Sequence, residues 1–103
     1  MVLSIDGGID SSNTDQLRKE IEKLIEGGIT KIILDGRKIS HISSPAIGML
    51  LKLHQSMKSR GGEVKLAGIR GIFWDVLRMM KLDRIFEIYE DVSRARLAFR
   101  PKD

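Results

Sequence analysis

Apolar positions along this chain change period repeatedly. Val2-Leu3-Ser4-Ile5 is a short, mostly apolar run ahead of Gly7-Gly8, the composition of a strand closing into a turn. From Asn13 to Glu26 the spacing becomes helical: Leu17, Ile21, Leu24 and Ile25 fall at i, i+4, i+7 and i+8, while Arg18, Lys19, Glu20, Glu22 and Lys23 take the other face. Asn13 is placed to cap this amphipathic helix, with Gln16 reaching back, and Gly27-Gly28 supplies a left-handed exit. Ile29 to Leu34 is apolar enough for a buried strand, with Asp35-Gly36 reading as its turn.

Ile39-Ser40-His41-Ile42 alternates weakly and leads into Ser43-Ser44-Pro45. Proline suits a first helical position, so Ser44 is the predicted cap of a helix from Pro45 to about Ser59, with the stripe Ile47, Leu50, Leu51, His54 and Met57. The proline also biases Ser44 towards extended backbone. Arg60-Gly61-Gly62 closes the helix, and Glu63 to Ala67 is the next strand. Phe73, Val76, Leu77 and Met80 predict a helix from Ile72 to about Lys81, with Trp74 off the stripe. A last strand over Ile85–Tyr89 and a last helix over Asp91–Phe99 follow, the helix facing inward with Val92, Ala95 and Phe99 and stopped by Pro101. Strands and helices alternate throughout, without repeat or low-complexity tract, so the fold class is α/β with a largely parallel sheet. The predicted core is Leu17, Ile21, Leu24, Ile33, Leu50, Leu51, Val64, Leu66, Leu77 and Phe86.

Composition narrows the function. At 103 residues there is room for one hydrophobic core, and 42% apolar with 31% charged residues is a globular balance. Cysteine is absent, which removes disulfides, thiolate nucleophiles and cysteine-bound zinc. The start lacks the basic and apolar pattern of a secretory signal, so the expectation is a cytoplasmic protein without membrane association. The net charge of +4 lies in the second half, with twelve Lys or Arg against seven Asp or Glu from residue 52 onward. These cations are interspersed with acidic and apolar neighbours, the pattern of a solvated surface and not of a nucleic-acid stripe.

Few residues offer chemistry. His41 and His54 have no ligand-type partner at helical spacing, so no metal site and no cofactor is expected. Ser44, His41 and Asp35 could on paper form a hydrolase triad, but the nucleophile-elbow pattern is missing. Ser44 at a helix start would place an added phosphate where backbone N–H groups and the helix dipole favour anions. Trp74, beside Arg70, Asp75 and Arg78, is a surface partner-contact candidate.

Several strings taken together resemble the STAS family, the sulfate-transporter and anti-sigma-factor-antagonist domain, and in particular its small stand-alone members. They are Gly8-Ile9-Asp10, Ile32-Ile33-Leu34-Asp35, Ser43-Ser44-Pro45-Ala46-Ile47-Gly48, Arg60-Gly61-Gly62-Glu63 and Lys81-Leu82-Asp83-Arg84-Ile85-Phe86. The likeness implies one STAS-like domain over residues 1–103, with about four mostly parallel strands and about four helices. The resemblance also leads to the expectation that the family's opening strand is missing ahead of Val2, which would leave a sheet edge open to a second copy of the chain. Ser44 matches the serine phosphorylated in the family, whereas Ser43 stands where aspartate is usual. Pro45 replaces a second serine, Ala46 a glycine, and Lys81 the glycine before Leu82-Asp83. By this resemblance the protein is a non-enzymatic anti-sigma factor antagonist. It would bind an anti-sigma factor serine kinase through Asp10, Ser43, Ser44, Pro45 and Ile47, and be released when that kinase, supplying ATP and magnesium, phosphorylates Ser44. The alternatives are a constitutive STAS interaction subunit of a signalling or transport assembly and, further off, a small hydrolase.

Overall fold

The structure, a computed structural model, describes residues 1–10 and 12–99. Its elements are β1 (Val2–Ile9), α1 (Thr14–Glu26), β2 (Lys31–Ile42), α2 (Ser44–Ser59), β3 (Glu63–Ala67), α3 (Gly71–Met79), a 3-10 turn (Leu82–Arg84), β4 (Glu87–Tyr89) and α4 (Val92–Ala98). The four strands form one sheet in the order β1-β2-β3-β4, every pair parallel, so the α/β expectation holds. Alternation along the strands divides the core. Ile32, Leu34, Val64 and Leu66 face α1, α2 and α3, whereas Ile33 and Ala67 face Ala95 of α4 on the opposite side.

Of the predicted core, Leu17, Ile21, Ile33, Leu50, Val64, Leu66, Leu77 and Phe86 are buried, and Leu24 and Leu51 are half-buried against it. Helix α2 buries more than its predicted stripe, adding Ala46, Met49 and Leu53, because it packs against both α1 and β3. Met80 lies beyond the end of α3 and is exposed. The last strand is shorter than expected, since Leu82–Arg84 turns and Ile85 is exposed before β4 begins. Asp91 caps α4 through the Arg94 N–H at 2.8 Å; Pro101 lies outside the described residues.

Two predicted turns are strand. Gly7-Gly8 lies within β1, and Asp35-Gly36 lies within the twelve-residue β2. These glycines answer a packing demand. A Cβ on Gly8 would stand 1.9 Å from the His41 ring, and one on Gly36 would stand 2.5 Å from Ile69 Cδ1. Register shifts between Ser4 and Asp6, and again between Gly7 and Gly8, absorb the extra residues of β2 as bulges.

Under α4 lies a buried charge. Lys65, with its side chain 6% exposed, pairs with Glu63 and Glu87, and its ammonium sits 4.6 Å from the Phe99 ring centre and 5.5 Å from that of Tyr89. Burial pushes Glu63 up, but the ammonium groups of Lys58 and Lys65 outweigh it and hold the carboxyl down to about 2. Lys65 is raised in turn, because its two carboxylates more than offset its burial.

Candidate functional site

In a parallel sheet all strands deliver their C-terminal ends to one edge, where the connections to the following helices gather. Here that edge holds the β1–α1 connection and the start of α2, tied together where the Ser43 N–H donates to the Ile9 carbonyl at 2.8 Å. Asp10 begins the connection. Its carboxylate accepts the Ser12 N–H at 2.8 Å and the Ser12 hydroxyl at 2.5 Å, a local turn that side chains of this type form readily. His41 Nε2 stands 3.5 Å from the same carboxylate, and its Nδ1 lies 3.2 Å from the Ser40 hydroxyl. The Ser12 hydroxyl, then the Ser12 N–H and His41, hold the Asp10 carboxyl below its usual range, so an anion is presented at this edge.

Asn13 occupies the cap position of α1 without capping it. Its side chain accepts the Asp10 N–H at 2.9 Å and donates to the Gly8 carbonyl at 2.6 Å, so it braces the connection, and no Gln16 capping box forms. The cap of α2 is also corrected. Ser43, extended at φ −83 and ψ 158, accepts the Ala46 N–H on its hydroxyl at 3.2 Å, whereas Ser44 is already in the first turn and Pro45 follows it there. Proline loses nothing at that point, since the first helical N–H groups have no carbonyl partner in any case. Ser44 is therefore helical and exposed, with its hydroxyl released from the capping task. No acidic residue stands in the first turn of the sixteen-residue α2, so no side chain of the helix itself offsets its positive end beside Ser44.

Asp10, Ser43, Ser44 and Pro45 thus share one edge, with Ser44 and Pro45 exposed. Ile47 does not join them: it is 1% exposed, because its side of the first turn faces the sheet, and it offers a partner no surface. Trp74 is half-buried against the main core with the Arg78 guanidinium 6.0 Å over its ring, because the inner face of α3 is wide enough to take in the flanks of the Phe73–Leu77 stripe. Next to Pro45 a groove of about 520 Å³ opens between α1 and α2, lined among others by Arg18, Glu22, Ile25, Met49 and Leu53. The sequence pattern marked both helices but carried no sign of the gap between them.

The paper triad is not assembled. Asp35 is held by the Arg37 guanidinium at 2.9 and 3.0 Å, which keeps its carboxyl below the usual range, while His41 is engaged with Asp10 and Ser40. His54 is buried against Phe86, ring centres 4.8 Å apart, and its Nδ1 has no hydrogen-bond partner among the described residues. Burial pushes its pKa down. Among the described residues no group of three His, Asp or Glu is placed to hold a metal ion, and no helix is long and apolar enough to cross a membrane.

Comparison with known proteins agrees with this geometry. The STAS domain family matches residues 1–95, and the chain belongs to it. BtrV of Bordetella bronchiseptica, assigned as an anti-sigma factor antagonist, is 22% identical over 97% of this chain and 86% of its own length. The crystal structure of TM1081 from Thermotoga maritima, also assigned as an anti-sigma factor antagonist, superposes with a TM-score of 0.92 at 26% identity, covering 97% of this chain and 86% of that one. The phosphorylated form of the Bacillus cell fate determinant SpoIIAA shares the fold, with a TM-score of 0.76 at 20% identity over 96% of this chain and 89% of that one.

Proposed function

We propose that this protein is an anti-sigma factor antagonist that acts by partner switching: it binds an anti-sigma factor serine kinase when Ser44 is unmodified and lets go when Ser44 is phosphorylated. One observation carries the reading, namely the exposed, non-capping Ser44 hydroxyl in the first turn of α2, a turn that carries no acidic residue of its own, on the same edge as Asp10. A phosphate would add a charge of about −1.5 to −2 beside the Asp10 carboxylate, and so repel any partner surface that docks on this edge in the unmodified state. The protein is the substrate in this scheme. The kinase brings ATP and magnesium, and the setting is the cytoplasm, without nucleic acid or membrane. A constitutive STAS subunit is the rival reading, in which Ser44 is never modified.

The test is to incubate the protein with an anti-sigma factor kinase captured from the source cell, with and without ATP, and to measure intact mass. One added phosphate that Ser44→Ala abolishes and Ser43→Ala does not, together with release of the partner, supports switching. Retained binding with no mass change in the presence of ATP supports the constitutive subunit. The open outer edge of β1, whose run from Val2 to Ile9 carries Asp6 as its one charge, is proposed as a pairing edge for a second copy. Sedimentation that reports a monomer at every concentration would remove that element.

A further inference from the structure

Helix α3 turns Phe73 and Leu77 into the core and leaves Ile72 61% and Met79 82% exposed on its outward side. Val76, half-buried and packed against the core, stands between them at i+4, so Ile72, the exposed part of Val76 and Met79 make one apolar stripe along the flank of the helix. Met80 and Ile85, 49% and 46% exposed, continue this character into the turn packed against the end of α3. Single exposed apolar residues are ordinary, whereas a cluster of long ones in a short segment marks an interaction surface.

The charges around it have one dominant sign. Arg70, Arg78, Lys81 and Arg84 are exposed, and none is in an ion pair among the described residues; Asp75 and Asp83 are the acids within the same segment. Lys81 adds a second observation. It holds φ +58, the left-handed region where a side chain is strained and glycine is not. A lysine held in this conformation at the end of α3 carries a cost that glycine would avoid, and such strain concentrates at functional positions.

We propose that the outward face of α3 docks an acidic amphipathic helix of a partner protein, with its apolar side on Ile72, Val76 and Met79 and its carboxylates against Arg78, Lys81 and Arg84. The proposal goes beyond the Ser44 reading and does not depend on it. Charge complementarity selects this occupant. A second copy would bring the same cationic excess to the contact.

The test uses the whole protein, isotope-labelled, and a synthetic eighteen-residue peptide with leucine at i, i+3, i+4 and i+7 and glutamate on its other face. A second peptide carries lysine in place of every glutamate. The expected result is saturable shifts of the amide signals of residues 72–85 with the acidic peptide only, weakened by salt, with altered Trp74 emission through Arg78. Met79→Glu should weaken binding about tenfold or more by setting a carboxylate against the peptide's own. That exposed change leaves the far-ultraviolet dichroism intact. Lys81→Gly should raise thermal stability yet weaken binding, a pairing that a purely structural lysine would not produce. Equal binding of the lysine peptide, shifts elsewhere than α3, binding only to vesicles containing phosphatidylserine, or a concentration-dependent dimer abolished by Met79→Glu would each overturn the proposal.

Discussion

Replacing Ser43 by alanine removes the one side-chain cap of α2, while replacing Ser44 removes a hydroxyl that the helix does not use. The cap is a single hydrogen bond of 3.2 Å to the Ala46 N–H, and losing such a cap costs about 1 kcal/mol. For a chain of this size that lowers the melting temperature by about 4–8 °C. Ser44→Ala, at an exposed position, should stay within about 0.5 kcal/mol of the parent. Phosphate on Ser44 would sit at the positive end of α2 and stabilise the isolated protein by about 0.3–1 kcal/mol while weakening partner binding. Thermal melts and urea titrations of the two alanine variants, read beside partner affinity, separate the roles: Ser43→Ala moves stability and leaves phosphorylation intact, and Ser44→Ala does the reverse. A Ser44→Ala variant as unstable as Ser43→Ala would refute this division, because the cap would then be Ser44.

Three further outcomes follow from the packing. Lys81→Gly relieves a left-handed lysine and should stabilise the fold by about 1 kcal/mol in chemical denaturation. Lys65→Met leaves Glu63 without its buried partner and should destabilise by about 3 kcal/mol; in the parent, Glu63 ionises in the fold near 2 against 4.5 when free, so its contribution is complete above pH 4.5 and fades as pH falls towards 2, which an acid-unfolding series can follow. His54 has the same sign for a different reason: the unfolded chain takes up its proton near pH 6.5, whereas burial lowers the folded value, so stability falls as pH drops below 6.5, and His54→Leu should flatten that slope in pH-dependent melts.

The amino-acid sequence by itself specified what depends on local periodicity. Leu17 and Ile21 at i and i+4 identify the inner face of α1, and Val64 and Leu66 at i and i+2 identify the inner face of β3, because neighbours along one element determine which side is apolar. The strings around Ser44 and Lys81 were sufficient to indicate the STAS family, which matches residues 1–95. Tertiary structure decided the rest. Gly8 and Gly36 look like turns until the His41 ring and Ile69 arrive from elsewhere in the chain to occupy the space a Cβ would need. Pro45 after Ser44 points to Ser44 as the cap, but the Ser43 N–H binds the Ile9 carbonyl and the Ser43 hydroxyl takes the cap, so the helix begins one residue earlier than local sequence suggests. Asp10 is bound to His41 thirty-one residues away, and Lys65 is buried beneath α4, because sheet pairing and helix docking bring together side chains with no periodic relation. Contacts of that kind leave no trace in spacing, since the energy that selects them is paid only when distant segments exclude water together.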